Sequence, residues 1–311
     1  MRKPRLKNDG EGFYHVTSRC VDRTFRFKDA DKTRIIDKMK RMGKFCGVEI
    51  GTYAVMSNHF HILLHVLEQK ELTDDELVGR ISALYGPAKA EDLRSTWSNW
   101  RRAGDTASLE QLEASRRIYL RRMGDLSVYM KELKQWISRV YNKEHNRKGT
   151  LWEERFWSCL LEDSAETLTS VAAYIDRNAV RAGIVERPED YRWCGYAEAH
   201  AGHAAAQRTL ASLFRQSEEM GWAEAKERYA WLLRPVTDTA KTVTDTWRER
   251  RNPAFTRALA MGSREFILET YTRFPKVFTA KKRPAQPYVT DGQAEKSALC
   301  ASHRPREAVI G

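Results

Sequence analysis

The chain has 311 residues, a formal net charge of +12 and a pI near 9.5, enough for one large domain with an appendage and basic enough to suit a polyanionic partner. Its five cysteines (Cys20, Cys46, Cys159, Cys194, Cys300) are odd in number and lack CxxC spacing, which indicates neither a zinc cage nor a disulfide framework. With no apolar leader and no 18-residue apolar stretch, the sequence predicts a cytoplasmic protein.

The basic excess begins at the first strand, read over Gly12–Val21: residues 1–28 carry eight Lys or Arg against three Asp or Glu. A helix is expected over Ala30–Cys46, with Ile35, Ile36, Met39 and Met42 as its apolar stripe and Gly43 and Gly47 closing it. Strands at Val48–Met56 and His59–Val66 form a hairpin through Ser57-Asn58. Along the second of these, side chains alternate, so His59 and His61 share one side and Phe60 takes the other. Two adjacent imidazoles on a rigid strand make half of a divalent-metal site, a plain packing pair being the alternative. His65 shares their side and is read as packing or DNA contact.

Helices without strands follow. Thr73-Asp-Asp-Glu76 is a capping box, and its helix ends at Gly86-Pro87. Further helices are expected over Ala90–Ala103, Ser108–Arg122 and Leu126–Glu144, and a strand over Phe156–Leu161. The stretch 164–183 reads as one helix with a capping-box-like start at Asp163 and Glu166 and a stop at Gly183. On its flank, Tyr174, Asn178 and Arg181 stack one turn apart, which suits a nucleophile beside an amide ligand or, alternatively, the edge of a core helix. Beyond residue 200 only helical patterns remain (Leu210–Met220, Ala223–Leu233, Ser263–Tyr271), and Lys281-Lys282-Arg283 opens a tail expected to be disordered. Strands and helices without a βαβ repeat argue for an α+β fold on an antiparallel sheet.

Five blocks, in order, resemble the single-tyrosine transposases of the HUH endonuclease superfamily, and most of all the REP-associated tyrosine transposases. They are Tyr14–Arg19, Met56–Leu64, Gly149–Phe156, Tyr174–Gly183 and Tyr191–Trp193, covering about residues 12–66 and 126–200. Two departures stand out: Ala179 where the family usually has Pro, which should give a more regular turn, and a charged helical insertion over about 68–125.

The resemblance implies a ferredoxin-like sandwich spanning residues 1–200, with 201–311 as a helical C-terminal extension. It implies Tyr174 as a nucleophile that forms a 5′-phosphotyrosine, and Asn178 as a third metal ligand beside His59 and His61. Mg²⁺ or Mn²⁺ suits an imidazole and amide shell better than Zn²⁺. Arg19, Lys143, Arg147, Lys148, Arg155 and Arg181 are candidates for contact with single-stranded or hairpin DNA, against a solvated basic face as the alternative. Trp152 is read as core or sheet-capping, with stacking on a base as the alternative. Tyr129 and Tyr141 are alternative nucleophiles, and a homodimer is left open. The competing functional readings are a domesticated DNA-binding protein that no longer cuts, and a metal-dependent phosphodiesterase that uses water.

Overall fold

The computed structural model describes residues 5–215, 220–234, 255, 258–275, 277 and 300–302. Runs of alternating residues give β1 (Gly12–Arg19), β2 (Val48–Val55), β3 (His59–Val66) and β4 (Trp157–Leu161). Helix α1 (Asp29–Cys46) links β1 to β2, and α5 (Leu126–Glu144) precedes β4. The four strands lie in the order β2-β3-β1-β4, each antiparallel to its neighbour, which is the ferredoxin-like arrangement. Gly47, at φ 67°, takes the left-handed conformation that stops α1 and turns the chain straight into β2.

The sheet separates two environments. Tyr14, Val16, Phe60, Ile62 and Leu64 pack with Ile35, Met39 and Met42 of α1 and Met130, Leu133 and Ile137 of α5. On the other face Phe13, Ala54 and Leu63 meet α6 (Ala165–Asp176).

Between β3 and α5 stand α2 (Asp74–Tyr85), α3 (Pro87–Ala103) and α4 (Thr106–Leu120), with the capping box at Thr73 formed as expected. Helix α3 begins a turn before Ala90 because Pro87, with its φ already fixed, occupies the first position.

Three expectations are corrected. The segment 164–183 is not one helix: α6 ends at Asp176, Arg177 breaks the run, and a single turn, α7 (Asn178–Arg181), follows. Its N-cap is Ser164, not Asp163, since the Ser164 hydroxyl accepts the Thr167 N–H. The helix expected at Leu210–Met220 is instead α9 (Ala204–Ser212), which stops so that Leu210 and Leu213 can enter the α6 core.

The C-terminal part joins this core rather than standing apart. Helix α10 (Trp222–Leu233) places Tyr229 and Leu233 in it, beside Tyr196 of α8 (Gly195–His200). Strand β5 (Ala260–Gly262) runs parallel to β4, and β6 (Cys300–Ser302) pairs with β5, so the extension adds strands as well as helices; α11 (Arg264–Arg273) lies between them in sequence. The tail from Lys281 to Arg283 lies outside the described residues. Among the described residues no helix is long and apolar enough to cross a membrane.

Candidate active site

Register decides which residues meet. In the antiparallel ladder His61 stands opposite Thr17 and His59 opposite Arg19, all at one end of β1 and β3. His59 and His61 do share a face: their ring centroids lie 5.2 Å apart, edge to face. Phe60 points the other way, into the α1 and α5 core against Trp152. Tyr174 reaches down from α6 so that its ring lies 6.0 Å from that of His61.

A residue that the sequence did not single out completes this group. His15 of β1 is buried, its ring 5.1 Å from His61 and 6.0 Å from Tyr174. Its Nε2 is 2.9 Å from His61 Nδ1, and the Thr17 hydroxyl is 2.8 Å from the same Nδ1. Burial first, then the positive Arg181, push His15 down to about 3, while a hydrogen bond with the Phe255 backbone works the other way. Burial and the neighbouring histidines hold His61 well below the ordinary imidazole range. Both rings are therefore neutral near pH 7, the form that binds a metal.

These contacts set the tautomers by inference from the hydrogen-bond network. A proton on His15 toward the Phe255 backbone leaves Nε2 as an acceptor; His61 then donates from Nδ1 and keeps a lone pair on Nε2. His59 Nδ1 lies 2.6 Å from Asn58 Oδ1, which fixes its proton in the same sense. Histidines whose outer nitrogen is tied in this way are the usual form of metal-ligating imidazole.

Asn178 opens α7, one turn beyond Tyr174, and is buried with its Nδ2 lacking any hydrogen-bond partner. An orphan Nδ2 is a hydrogen-bond donor and suits an acceptor such as a phosphate oxygen, while the carbonyl oxygen of the same amide is the atom able to ligate a cation. Imidazole nitrogens of His59 and His61 with the amide oxygen of Asn178 are a donor set that suits a divalent ion.

Tyr174 itself is only 3% exposed. Phe255 stacks on its ring at 4.2 Å and 8°, and the Arg181 guanidinium sits 3.9 Å from the ring centroid. Arg181 Nη1 also donates to the Tyr174 carbonyl at 2.7 Å, beside the break in the helix. The break has a second anchor in Asp176, fully buried, which accepts from the Thr52 hydroxyl at 2.8 Å, the Tyr229 hydroxyl at 2.5 Å and the Tyr196 N–H at 3.1 Å. Burial nevertheless raises Asp176 to about 6.

The basic candidates divide. Arg19 and Arg181 are at the site, whereas Lys143, Arg147 and Lys148 gather at the C-terminal end of α5, and Arg155 lines a groove on the far face. His65 is no part of the site: it bonds Glu49 and Glu11 and stacks on Phe13. Tyr129 is buried against the Met39 carbonyl and Tyr141 against Phe27, both away from the histidines. Among the described residues Asp31, Glu144 and His145 also cluster closely enough to hold an ion, but Arg34 pairs with both carboxylates.

No curated protein matches the chain. A solved structure entitled "Structure of the REP associates tyrosine transposase bound to a REP hairpin" aligns at 14% identity and a TM-score of 0.42, covering 65% of this chain and 87% of that one. Residues 11–85, from β1 through α2 and including His15, His59 and His61, match the family model described as "Transposase IS200 like", and over that stretch the chain is similar to those transposases.

Proposed function

We propose that the protein is a metal-dependent single-stranded DNA endonuclease and transposase with Tyr174 as nucleophile, acting at hairpin-associated sites. The observation that carries this reading is the meeting of the His61 and Tyr174 rings on one face of the sheet, at 6.0 Å. His59, His61 and Asn178 would hold Mg²⁺ or Mn²⁺, which when bound neutralises phosphate charge and polarises the scissile phosphorus.

The chain's own residues do the rest. The Tyr174 oxygen attacks phosphorus, the bond to the 3′-oxygen breaks, and the phenolic proton is lost as the leaving oxygen gains one. The products are a 5′-phosphotyrosine and a free 3′-hydroxyl, and the reverse attack rejoins the strand without an outside energy source. Arg181, already at the tyrosine ring, supplies positive charge beside the phosphate. His15 and Thr17 orient His61, and Asn58 orients His59. Because Phe255 covers the Tyr174 ring, substrate entry requires that side chain to move aside.

Incubation with hairpin-bearing single-stranded DNA and Mn²⁺ should give a covalent adduct on a denaturing gel. No adduct with any hairpin substrate, with hydrolysis persisting in Tyr174→Phe, would transfer the reading to a water-using phosphodiesterase.

A further inference from the structure

On the sheet face opposite Tyr174, one flank of α5 and the loop 150–156 border an open groove of about 870 Å³. Ser127, Lys131, Lys134 and Ser138 recur at intervals of four and three residues, so a single stripe of the helix presents them to it. Five basic side chains line the space, Arg5, Lys131, Lys134, Arg139 and Arg155, against one carboxylate, Glu154. Among the described residues no carboxylate lies within ion-pair distance of Arg5, Lys131, Lys134 or Arg139.

The wall is built rather than incidental. Lys134 is 8% exposed; its Nζ donates to the Glu154 carbonyl at 2.8 Å and lies 4.9 Å from the Trp152 ring centroid. Trp152 Nε1 donates back to the Lys134 carbonyl at 3.2 Å, and the Arg5 guanidinium sits 3.6 Å from the Phe156 ring centroid. Burial and the nearby Arg5 press Lys134 down to about 7, and burial and Arg155 bring Arg5 down to about 10. Crowded like charges of this kind are relieved by an anion.

The groove is also connected to the active site. The Glu153 N–H donates to the Arg19 carbonyl at 3.0 Å, Cys20 bridges to Trp152, and Arg19 stands opposite His59. Groove and tyrosine therefore occupy the same end of the sheet on opposite faces, with the Arg19 corner between them.

We propose that this groove binds a short single-stranded DNA segment flanking the cleavage site, with phosphates on Arg5, Lys131 and Arg139 and a base against Trp152. The proposal rests on the function above. A volume within the small-ligand range of roughly 300–1,000 Å³ suits a few unpaired nucleotides rather than a duplex, and cations beside an aromatic wall are how unpaired strands are held.

The test is anisotropy of the full chain with a labelled hairpin, bare or carrying an unpaired flank of roughly eight nucleotides. In Lys131→Gln/Arg139→Gln, both exposed positions, the flanked probe should bind roughly tenfold more weakly at low salt. The slope of log affinity against log salt should shrink by about 1.4, two contacts' worth on a single strand. The bare hairpin should bind both proteins alike, and Lys131→Arg/Arg139→Lys should restore the flanked probe. Unchanged affinity for the flanked probe, or equal losses on both probes, overturns the groove. Adduct formation in the same samples reports separately on cleavage: tight flank binding without any adduct removes the nuclease reading and leaves the groove standing.

Discussion

The two faces of the sheet are built on opposite terms. Toward α1 and α5 the buried residues are large and apolar, with Phe60, Ile62, Leu64, Met39 and Leu133 filling space. Toward α6 large residues such as Phe13, Leu63 and Leu168 are joined by small ones, Ala54, Ala172, Ala173 and Ala179, and interspersed with His15, His61, Thr52 and Asp176. Small side chains let α6 approach the strands closely enough for Tyr174 to touch the histidines. Buried polar groups survive there because most of them bond one another. One face provides stability, and the other spends part of it on a polar arrangement.

Tyr174→Phe should separate the two most sharply. It removes one oxygen from the α6 face, so the adduct should disappear while the DNA affinity and melting temperature stay near wild type; a persistent adduct would reassign the nucleophile. Next in size is Phe60→Ala, which opens a cavity on the apolar face and should cost about 3–5 kcal/mol in urea unfolding. A loss below about 1 kcal/mol would mean that the two faces do not differ as described.

The pH dependence comes from the polar face. His15 and His61 have folded values below the unfolded 6.5, so their stabilising contribution is full above pH 6.5 and is lost as pH falls. Asp176 has the opposite sign: its folded value of about 6 exceeds 3.8, so its contribution is full below 3.8 and is lost as pH rises through 6. Between about pH 6 and 4, two histidine protons oppose one aspartate proton. Stability should therefore fall on acidification across that window, the Asp176 contribution offsetting part of the loss. Asp176→Asn should steepen that fall. Chemical denaturation at pH 7, 6 and 4.5 measures both, and a flat profile would contradict the neutral-histidine assignment. The smallest effect is expected from His15→Gln, which should weaken Mn²⁺ roughly 10- to 100-fold without changing the circular dichroism. An unchanged Mn²⁺ requirement for adduct formation would leave His15 as mere packing.

The elements that depend on local pattern were legible in the sequence. Alternation marked the β2–β3 hairpin and the side on which His59 and His61 project, and the Thr73 capping box marked the start of α2. What was not legible depends on partners distant in sequence. His15 joins the site only through the register that sets β1 against β3. Nothing within 164–183 marks Arg177 as a break, because the bonds beside it come from Thr52, Tyr196 and Tyr229 to Asp176. The small residue at Ala179 suggested a regular turn, yet Arg181 folds back onto Tyr174 instead. The pairing of β5 with β4 is likewise invisible to any local window.

Asp176 also bears on how this chain can be divided. A cut near residue 200 looks natural along the sequence, but it would remove the Tyr229 hydroxyl from a carboxylate with no access to water, and Phe255 from the ring of Tyr174. A shortened protein would keep every residue assigned to the chemistry while losing the support that fixes the end of its tyrosine helix. Modularity in such a chain follows buried bonds rather than motif boundaries, and α10 and Phe255 pack into the same core as the helix that carries Tyr174.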